Sequence, residues 1–225
     1  VPASTEIYTL SLHDALPISV KIKIKDNGIG IFRKIKNALG LGDERESALH
    51  LSKGKFTTDP DNHTGEGIFF TSRAFDYFHI FTRGISYARD NSEEDWFIET
   101  GQASQKSGTG LEMIISLDSK RNLQGVFAEY TGEDSEWLLK FDKTHIEVVL
   151  SMLGDERYVS RSQARRICLG LEKFKHVILD FKGISSVGQS FVDEVCRVFQ
   201  SKYPKIKIEY TNANDDVRFM IERTL

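Results

Sequence analysis

The sequence is poor in the features that mark secreted, membrane-spanning and nucleic-acid-binding proteins. Its 225 residues include two cysteines, Cys168 and Cys196, which fit neither a metal-binding spacing nor a disulfide framework. No apolar run approaches the roughly 20 residues that a membrane-spanning helix needs. A formal net charge of −3 excludes a global basic footprint for nucleic acid. The cysteine usage predicts a protein of the reducing cytoplasm.

Residue groupings typical of metabolic enzymes are also missing. We find no paired catalytic carboxylates, metal-ligand cluster or nucleophile–base arrangement with a recognised spacing. Apolar residues make up 40% of the chain and charged residues 28%, which is typical of one large or two small globular domains with their own cores. A metabolic enzyme is therefore the least favoured interpretation.

Two glycine motifs carry the chemistry of the N-terminal half. Asp26-Asn27-Gly28-Ile29-Gly30 follows a strand predicted over residues 20–25, and His63-Thr64-Gly65-Glu66-Gly67 precedes a predicted apolar helix. Glycines let backbone N–H groups approach phosphates, and a helix N-terminus favours anions. The Asp26 carboxylate suits recognition of an adenine amino group. Taken singly, each motif is also a common tight turn, because Asn and Gly tolerate positive φ.

In order and spacing, the two motifs resemble the G1 and G2 boxes of GHKL ATPases, the family of gyrase, mismatch-repair and histidine-kinase ATP domains. A third element of that family is a Gly-Thr pair that opens a later strand, and Gly108-Thr109 matches it. The resemblance implies that Asp26 binds adenine, that Thr109 lies near it, and that the second box faces the phosphates. The ATP-binding residues that it implies are Asp26, Asn27, Gly28, Gly30, Thr64, Gly65, Gly67 and Thr109.

The segment between the two boxes, residues 32–64, has the length of the mobile lid that covers the phosphates in this family. Lys53 and Lys55 lie within it and are candidates to reach phosphates as point charges. The alternative is that both are solvated loop lysines.

The first nineteen residues differ from the rest of the chain. Residues 1–19 lack a sustained helical or strand period, and residues 7–19 resemble a translated sequencing-adapter read. We therefore expect a non-native extension that is disordered or irregularly packed. In GHKL ATPases a helix before the first box supplies an Asn for Mg²⁺ and, in hydrolysing members, a Glu as general base. No E-x-x-x-N motif precedes Val20, so we expect this chain to bind ATP and Mg²⁺ poorly and to hydrolyse no ATP.

The remaining pattern of residues 20–117 predicts helices over 32–41 and 67–76 and strands at about 77–88, 95–100 and 109–117. Consecutive strands with short loops pair antiparallel. We expect an α/β sandwich with a mixed, largely antiparallel sheet and helices on one face, as in GHKL domains. Residues 118–142 contain clusters of polar residues that are typical of loops, and we interpret them as a linker.

From residue 143 the pattern changes to βαβαβα. Strands are predicted over 144–150, 177–181 and 205–210, and helices over 161–173, 189–202 and from about 214. This alternation indicates a parallel sheet. Ser160 followed by Gln163 predicts a capping box at the first of these helices.

The stretch from Val177 to Ser190 resembles a STAS-like domain, the fold of anti-sigma-factor antagonists. In antagonists a GHKL kinase phosphorylates the first Ser of an Asp-Ser-Ser-Gly motif at a helix start. Here Gly188-Gln189-Ser190 stands at that place, so Ser190 is the remaining candidate phosphoacceptor. The favoured alternative is that Ser190 belongs to the helix cap.

Two hypotheses follow. The first is a signalling protein in which ATP binding by a GHKL-like domain (20–117) is coupled to a STAS-like domain (143–225) that binds a protein partner, as in anti-sigma-factor kinase and antagonist pairs. The second is a non-catalytic protein- or DNA-interaction module in transcription regulation. Its basic face would consist of Arg161, Arg165, Arg166, Lys173 and Lys175. The acidic overall charge favours a solvated face instead, and we expect neither membrane nor nucleic-acid partners.

Overall fold

The computed structural model describes residues 4–11, 17–82, 84–93, 95–100, 107–132, 140–152 and 159–224. The chain divides into two compact units. The first comprises Val1–Ala48 and Thr57–Val126, and the second comprises Leu49–Phe56 and Phe127–Leu225.

The first unit is built on a six-stranded sheet in which every pairing between the described strands is antiparallel. The strands are β1 (Ser4–Ser11), β2 (Pro17–Lys25), β3 (Tyr77–Thr82), β4 (Ile85–Asp90), β5 (Asp95–Thr100) and β6 (Gly110–Ser116), in the order β1-β2-β6-β3-β4-β5. The helices are α1 (Ile31–Leu39), the start of α2 (Glu46–Lys53) and α3 (Gly67–Ala74).

The expectation that residues 1–19 are disordered or irregular is wrong for the residues that the structure describes. Ser4–Ser11 forms β1, an edge strand that pairs with β2 from Ser4↔Lys25 to Ser11↔Pro17. Apolar and charged residues alternate regularly in β2, which makes it an extended strand. The unpaired backbone N–H and C=O groups along its edge can pair with a neighbouring segment of any sequence. The side chains of residues 4–7 are exposed. Residues 1–3 and 12–16 lie outside the described part.

The single strand predicted over 77–88 is wrong, because two strands occupy that stretch. β3 and β4 form a hairpin that ends with the pair Thr82↔Ile85. Gly84 lies in the connection with φ of +83°, a backbone conformation that glycine adopts without cost. Residues 101–106, between the predicted strands 95–100 and 109–117, lie outside the described part.

The core of the first unit lies between this sheet and its helices. Phe32 and Ile35 of α1 are buried, as are Phe69 of α3 and Phe78 of β3. Phe32 and Ile35 are three residues apart and therefore lie on one face of α1, which is its buried face. The predicted linker 118–142 contains a helix, α4 (Leu123–Glu129), and the division between the units after Val126. Its residues 133–139 lie outside the described part.

The second unit contains a three-stranded parallel sheet with the order β7-β8-β9. Its elements are β7 (Lys143–Glu147), α5 (Arg161–Cys168), β8 (His176–Asp180), α6 (Gln189–Val192), a π-helical stretch (Asp193–Phe199), α7 (Gln200–Lys202), β9 (Lys207–Thr211) and α8 (Asp215–Thr224). An antiparallel-sheet unit followed by a parallel-sheet unit confirms the predicted α/β class, and the alternation of strands and helices from β7 to α8 confirms the βαβαβα order.

Two helices of this unit differ from their predictions. The helix predicted over 161–173 ends at Cys168, because Gly170 adopts φ of +87° and a short 3-10 turn follows at Leu171–Lys173. In the helix predicted over 189–202, Val195 and Phe199 are buried, whereas Val198, which ordinary α-helical spacing would place on the same face, is 43% exposed. The π-helical stretch has more residues per turn, which keeps positions four apart on one face and turns Val198 away.

The capping box at α5 is confirmed. The backbone N–H of Ser160 donates to Gln163 Oε1 at 3.0 Å, and Ser160 occupies the N-cap position. At α8, Asn214 Oδ1 accepts from the backbone N–H of Val217 at 2.9 Å. Both side chains satisfy helix-start N–H groups that have no intrahelical partner.

Candidate functional site

Asp26 follows the last residue of β2, and its carboxyl group is fixed by backbone donors from two segments. Asp26 Oδ1 accepts from Gly28 N–H at 2.7 Å and from Thr109 N–H at 3.2 Å. The backbone N–H of Asp26 in turn donates to the Thr109 carbonyl at 3.0 Å. A charged acceptor that binds backbone N–H groups is well anchored. The structure therefore brings together the aspartate of the first motif and the threonine of the third.

Thr109 also holds the start of α1. Its hydroxyl Oγ1 accepts from the backbone N–H of Ile31 at 3.0 Å. This contact replaces a side-chain cap, since Gly30 at the N-cap position has no side chain to offer. A hydroxyl that accepts one bond still carries a hydrogen to donate, so Thr109 has the chemistry to bind a ligand acceptor as well.

Gly30 and Gly108 permit the close approach of these segments. Gly108 has φ of +77°, and a Cβ there would lie 1.9 Å from the Asp26 carbonyl oxygen. Gly30 has φ of +90°, and a Cβ there would lie 3.2 Å from the Gly108 carbonyl oxygen. Gly28 lacks a positive φ, and a Cβ there would lie 3.0 Å from Asp26 Oδ1, which is a side-chain atom and not backbone. Asn27 between them is exposed.

Thr82 is a residue of this site that sequence reasoning missed. It ends β3 with 1% of its surface exposed, and its buried Oγ1 has no hydrogen-bond partner among the residues that the structure describes. Its Cβ and Oγ1 lie 3.3 Å from where a Gly30 Cβ would stand. No sequence signal distinguishes Thr82, because its role depends on the pairing of β3 with β6.

The second glycine motif lies at the start of α3, as predicted. Gly65 has φ of +76°, Glu66 is the N-cap residue, and α3 begins at Gly67. Thr64 and Gly67 are exposed, and a Cβ at Gly67 would meet no atom within 4 Å. α3 contacts β3, the strand that carries Thr82. This geometry fits a helix start open to an anion, but it does not demand glycine at position 67.

Neither alternative holds for Lys53, which is buried, and Lys55 does not take the candidate role of reaching phosphates. Lys53 is 2% exposed, and its Nζ donates to the carbonyl oxygens of Arg166 at 2.6 Å and Leu169 at 3.1 Å. Lys55 Nζ donates to the Lys173 carbonyl at 2.9 Å. Both lysines belong to the part of the predicted lid, Leu49–Phe56, that is assigned to the second unit.

Two buried basic side chains of Leu49–Phe56 have lowered pKa values. Burial lowers the pKa of Lys53 to about 7, and it lowers the pKa of His50 to about 3. His50 is 4% exposed, and within the described part of the chain its buried Nε2 has no hydrogen-bond partner. Removing a cation from water disfavours its charged form, which is the physical cause in both cases.

In the second unit, Asp180 organises the carboxyl end of the parallel sheet. Its Oδ1 accepts from Lys182 N–H at 2.8 Å and Asn212 Nδ2 at 2.9 Å, and its Oδ2 lies 3.2 Å from His145 Nε2. Burial acts to raise the pKa of Asp180, but these hydrogen bonds outweigh it and hold the pKa below its ordinary value. The described contacts make Asp180 a structural anchor.

Ser190 is the second residue of α6, and Gly188 is the N-cap residue. The interpretation of Ser190 as the cap is therefore wrong. A bridge between Val159 and Val187 and a hydrogen bond from Gly188 N–H to the Val159 carbonyl at 2.8 Å hold the starts of α5 and α6 side by side.

The predicted basic face has intramolecular partners throughout. Arg161 and Arg165 pair with Glu194, and Arg161 also pairs with Asp193. The remaining three contacts are Arg166 with the Ser151 carbonyl, Lys173 with the Lys55 carbonyl and Lys175 with Asp142. These pairings favour a solvated helix face over a nucleic-acid surface.

Within the described residues, no group of three or more His, Cys, Asp or Glu side chains is arranged to hold a metal ion. In that same part of the chain, no helix is long and apolar enough to cross a membrane.

Comparison with protein families gives one match. Residues 163–218 match the model of a STAS-like domain of unknown function. The match covers α5 to the first turn of α8 and thus supports the STAS-like interpretation of the second unit. Neither the curated proteins nor the solved structures compared with this chain gave a match.

Proposed function

We propose that this protein is a regulatory protein in which a GHKL-like first unit binds an adenine nucleotide and the STAS-like second unit binds a protein partner. The observation that carries the proposal is the Asp26 carboxyl group, fixed by Gly28 N–H at 2.7 Å and Thr109 N–H at 3.2 Å. A preorganised acceptor beside a threonine hydroxyl is suited to an exocyclic amino group and an adjacent ring nitrogen.

The glycines support the same interpretation. Gly108 brings two backbone segments closer than any side chain would allow, which is an arrangement that a local turn alone does not require. The start of α3 at Gly67, with Thr64 and Gly65 before it, supplies N–H groups suited to phosphates. Bound Mg²⁺ would neutralise phosphate charge, and in the family its protein ligand comes from an upstream helix.

The role of the second unit rests on its STAS-like match over residues 163–218. That match supports a regulatory interaction module. The kinship to anti-sigma-factor kinase and antagonist pairs is part of the proposal, since the first unit resembles the kinase and the second unit resembles the antagonist of such a pair.

Nucleotide binding is tested by titrating the protein with a fluorescent ATP analogue, with and without Mg²⁺, into the millimolar range. We expect weak saturable binding that Asp26→Asn abolishes. Asp118→Asn replaces an exposed aspartate of the same unit and serves as the matched control. Absence of saturable binding, or equal loss in both variants, would remove the nucleotide from the proposal.

A further inference from the structure

The segment Leu49–Phe56, here called the strap, belongs to the second unit although it lies between the two glycine motifs of the first. Helix α2 begins at Glu46 in the first unit and ends at Lys53 in the strap. The chain thus leaves the candidate nucleotide-binding unit, packs into the STAS-like unit for a few residues, and returns at Thr57.

Lys53 anchors the strap at the C-terminal end of α5. Its Nζ donates to the carbonyl oxygens of Arg166 at 2.6 Å and Leu169 at 3.1 Å. Carbonyl groups in the last turn of a helix have no intrahelical donor, and the helix dipole favours a cation there. In addition, the Lys53 carbonyl accepts from Thr144 Oγ1 of β7 at 2.8 Å. Side chain and backbone of one residue therefore bind two different elements.

Lys55 forms a second anchor. Lys55 Nζ donates to the Lys173 carbonyl at 2.9 Å, and Lys173 Nζ donates to the Lys55 carbonyl at 3.1 Å. The same ammonium group lies 4.7 Å from the ring centre of Phe174 and 5.3 Å from that of Phe141, within cation–π range.

The backbone of the strap is held in an unusual conformation. Gly54 has φ of +80°, and Lys55, which has a side chain, has φ of +54°. A non-glycine residue adopts this region at a cost and persists there only where its surroundings hold it. The reciprocal Lys55–Lys173 bonds are such a restraint. The conformational cost at Lys55 favours dissociation of the strap from the second unit when the bonds of Lys53 and Lys55 weaken.

We propose that the strap is a tethered ligand of the STAS-like unit, and that nucleotide bound at the Asp26–Thr109 site controls its docking. The inference rests on the proposed function and names its regulation. Thr109 Oγ1 holds the first residue of α1, and α1 and α2 lead directly into the strap. A nucleotide that contacts Thr109 therefore acts on the first residue of the helices that lead to the strap. The free energy by which the nucleotide shifts docking equals the difference between its binding free energies for the docked and the released states.

The test is hydrogen exchange of residues 49–56 in the full chain, measured with and without the fluorescent ATP analogue and Mg²⁺, with binding followed in the same samples. We expect the strap to be protected without nucleotide and its exchange to change at least about fivefold at saturation, the lower end of ordinary allosteric coupling. By linkage, Lys53→Met should change the Kd of the analogue by a similar factor.

Lys140→Gln replaces an exposed lysine of the same unit and should leave both the exchange and the Kd unchanged. If Lys53→Met does not fold, Lys55→Gln carries the test, because it removes only the less buried anchor. Saturable binding with unchanged exchange of the strap would overturn this inference and leave the proposed function standing. Absence of saturable binding would overturn both. Rapid exchange of the strap without nucleotide would contradict its docking.

Discussion

Replacing Gly108 with alanine would place a Cβ atom 1.9 Å from the carbonyl oxygen of Asp26, where real Cβ contacts stay beyond 3.0 Å. The two backbone segments would have to separate by more than an ångström. That movement breaks the hydrogen bonds Asp26 N–H to the Thr109 carbonyl, at 3.0 Å, and Thr109 N–H to Asp26 Oδ1, at 3.2 Å. The substitution therefore separates Asp26 from Thr109, the two residues that define the candidate site.

The magnitude has two parts. A left-handed backbone costs an alanine about 1–2 kcal/mol. Each lost hydrogen bond adds about 1 kcal/mol. We expect Gly108→Ala to lower the free energy of unfolding of the first unit by about 3–4 kcal/mol, when both terms are counted.

Gly40→Ala is the matched control, since Gly40 has φ of +64° but a methyl group there would meet no atom within 4 Å. It should lose only the conformational part, about 1–2 kcal/mol. Differential scanning calorimetry suits the comparison, because a chain of two units need not unfold in one step. If the two substitutions lower the free energy of unfolding equally, within about 0.5 kcal/mol, the close-approach argument is refuted. This margin is the accuracy to which independent free-energy terms add.

Three further predictions concern other parts of the molecule. His50 has its pKa lowered from 6.5 to about 3 by burial, so the unfolded chain binds a proton before the folded chain does. The free energy of unfolding of the second unit should fall as the pH drops from 6.5 to 3, and urea titrations of His50→Gln should show a shallower fall. Thr109→Val removes the acceptor for Ile31 N–H and should cost about 1 kcal/mol in thermal unfolding, whereas Thr109→Ser should cost less. Asp180→Asn weakens charge-assisted bonds to Lys182 N–H and His145 and should lower the unfolding midpoint of the second unit; an unchanged midpoint would contradict its anchoring role.

The local parts of this fold were predictable because local residues determine them. Asp26 and the glycines after it make a turn whose conformational demands can be read from five residues, and Ser160 with Gln163 caps a helix within one turn. Alternation of apolar residues predicted β2, and the βαβ alternation predicted the parallel sheet. The meeting of Asp26 with Thr109 followed only from the family resemblance.

The parts that were missed depend on contacts between distant segments. Lys53 meets the Arg166 carbonyl 113 residues away, and nothing near Lys53 distinguishes a buried helix-capping lysine from a solvated one. β1 was missed because its sequence has no pattern of its own and takes its structure from β2. The turn at Gly84 was missed because a single glycine within a strand pattern fits a bulge as well as a turn.

The pairing of β6 between β2 and β3 also determines when the candidate site comes into existence during folding. Asp26 and Thr109 are 83 residues apart, and the bond between them forms only after β6 has joined β2. Such non-local pairing is slow, because the loop between the strands must close first. A ribosome-bound chain that ends before residue 109 has every glycine of the first two motifs but lacks the Asp26–Thr109 bond. The nucleotide binding proposed above would therefore appear late in synthesis and would serve as a kinetic probe for completion of the sheet.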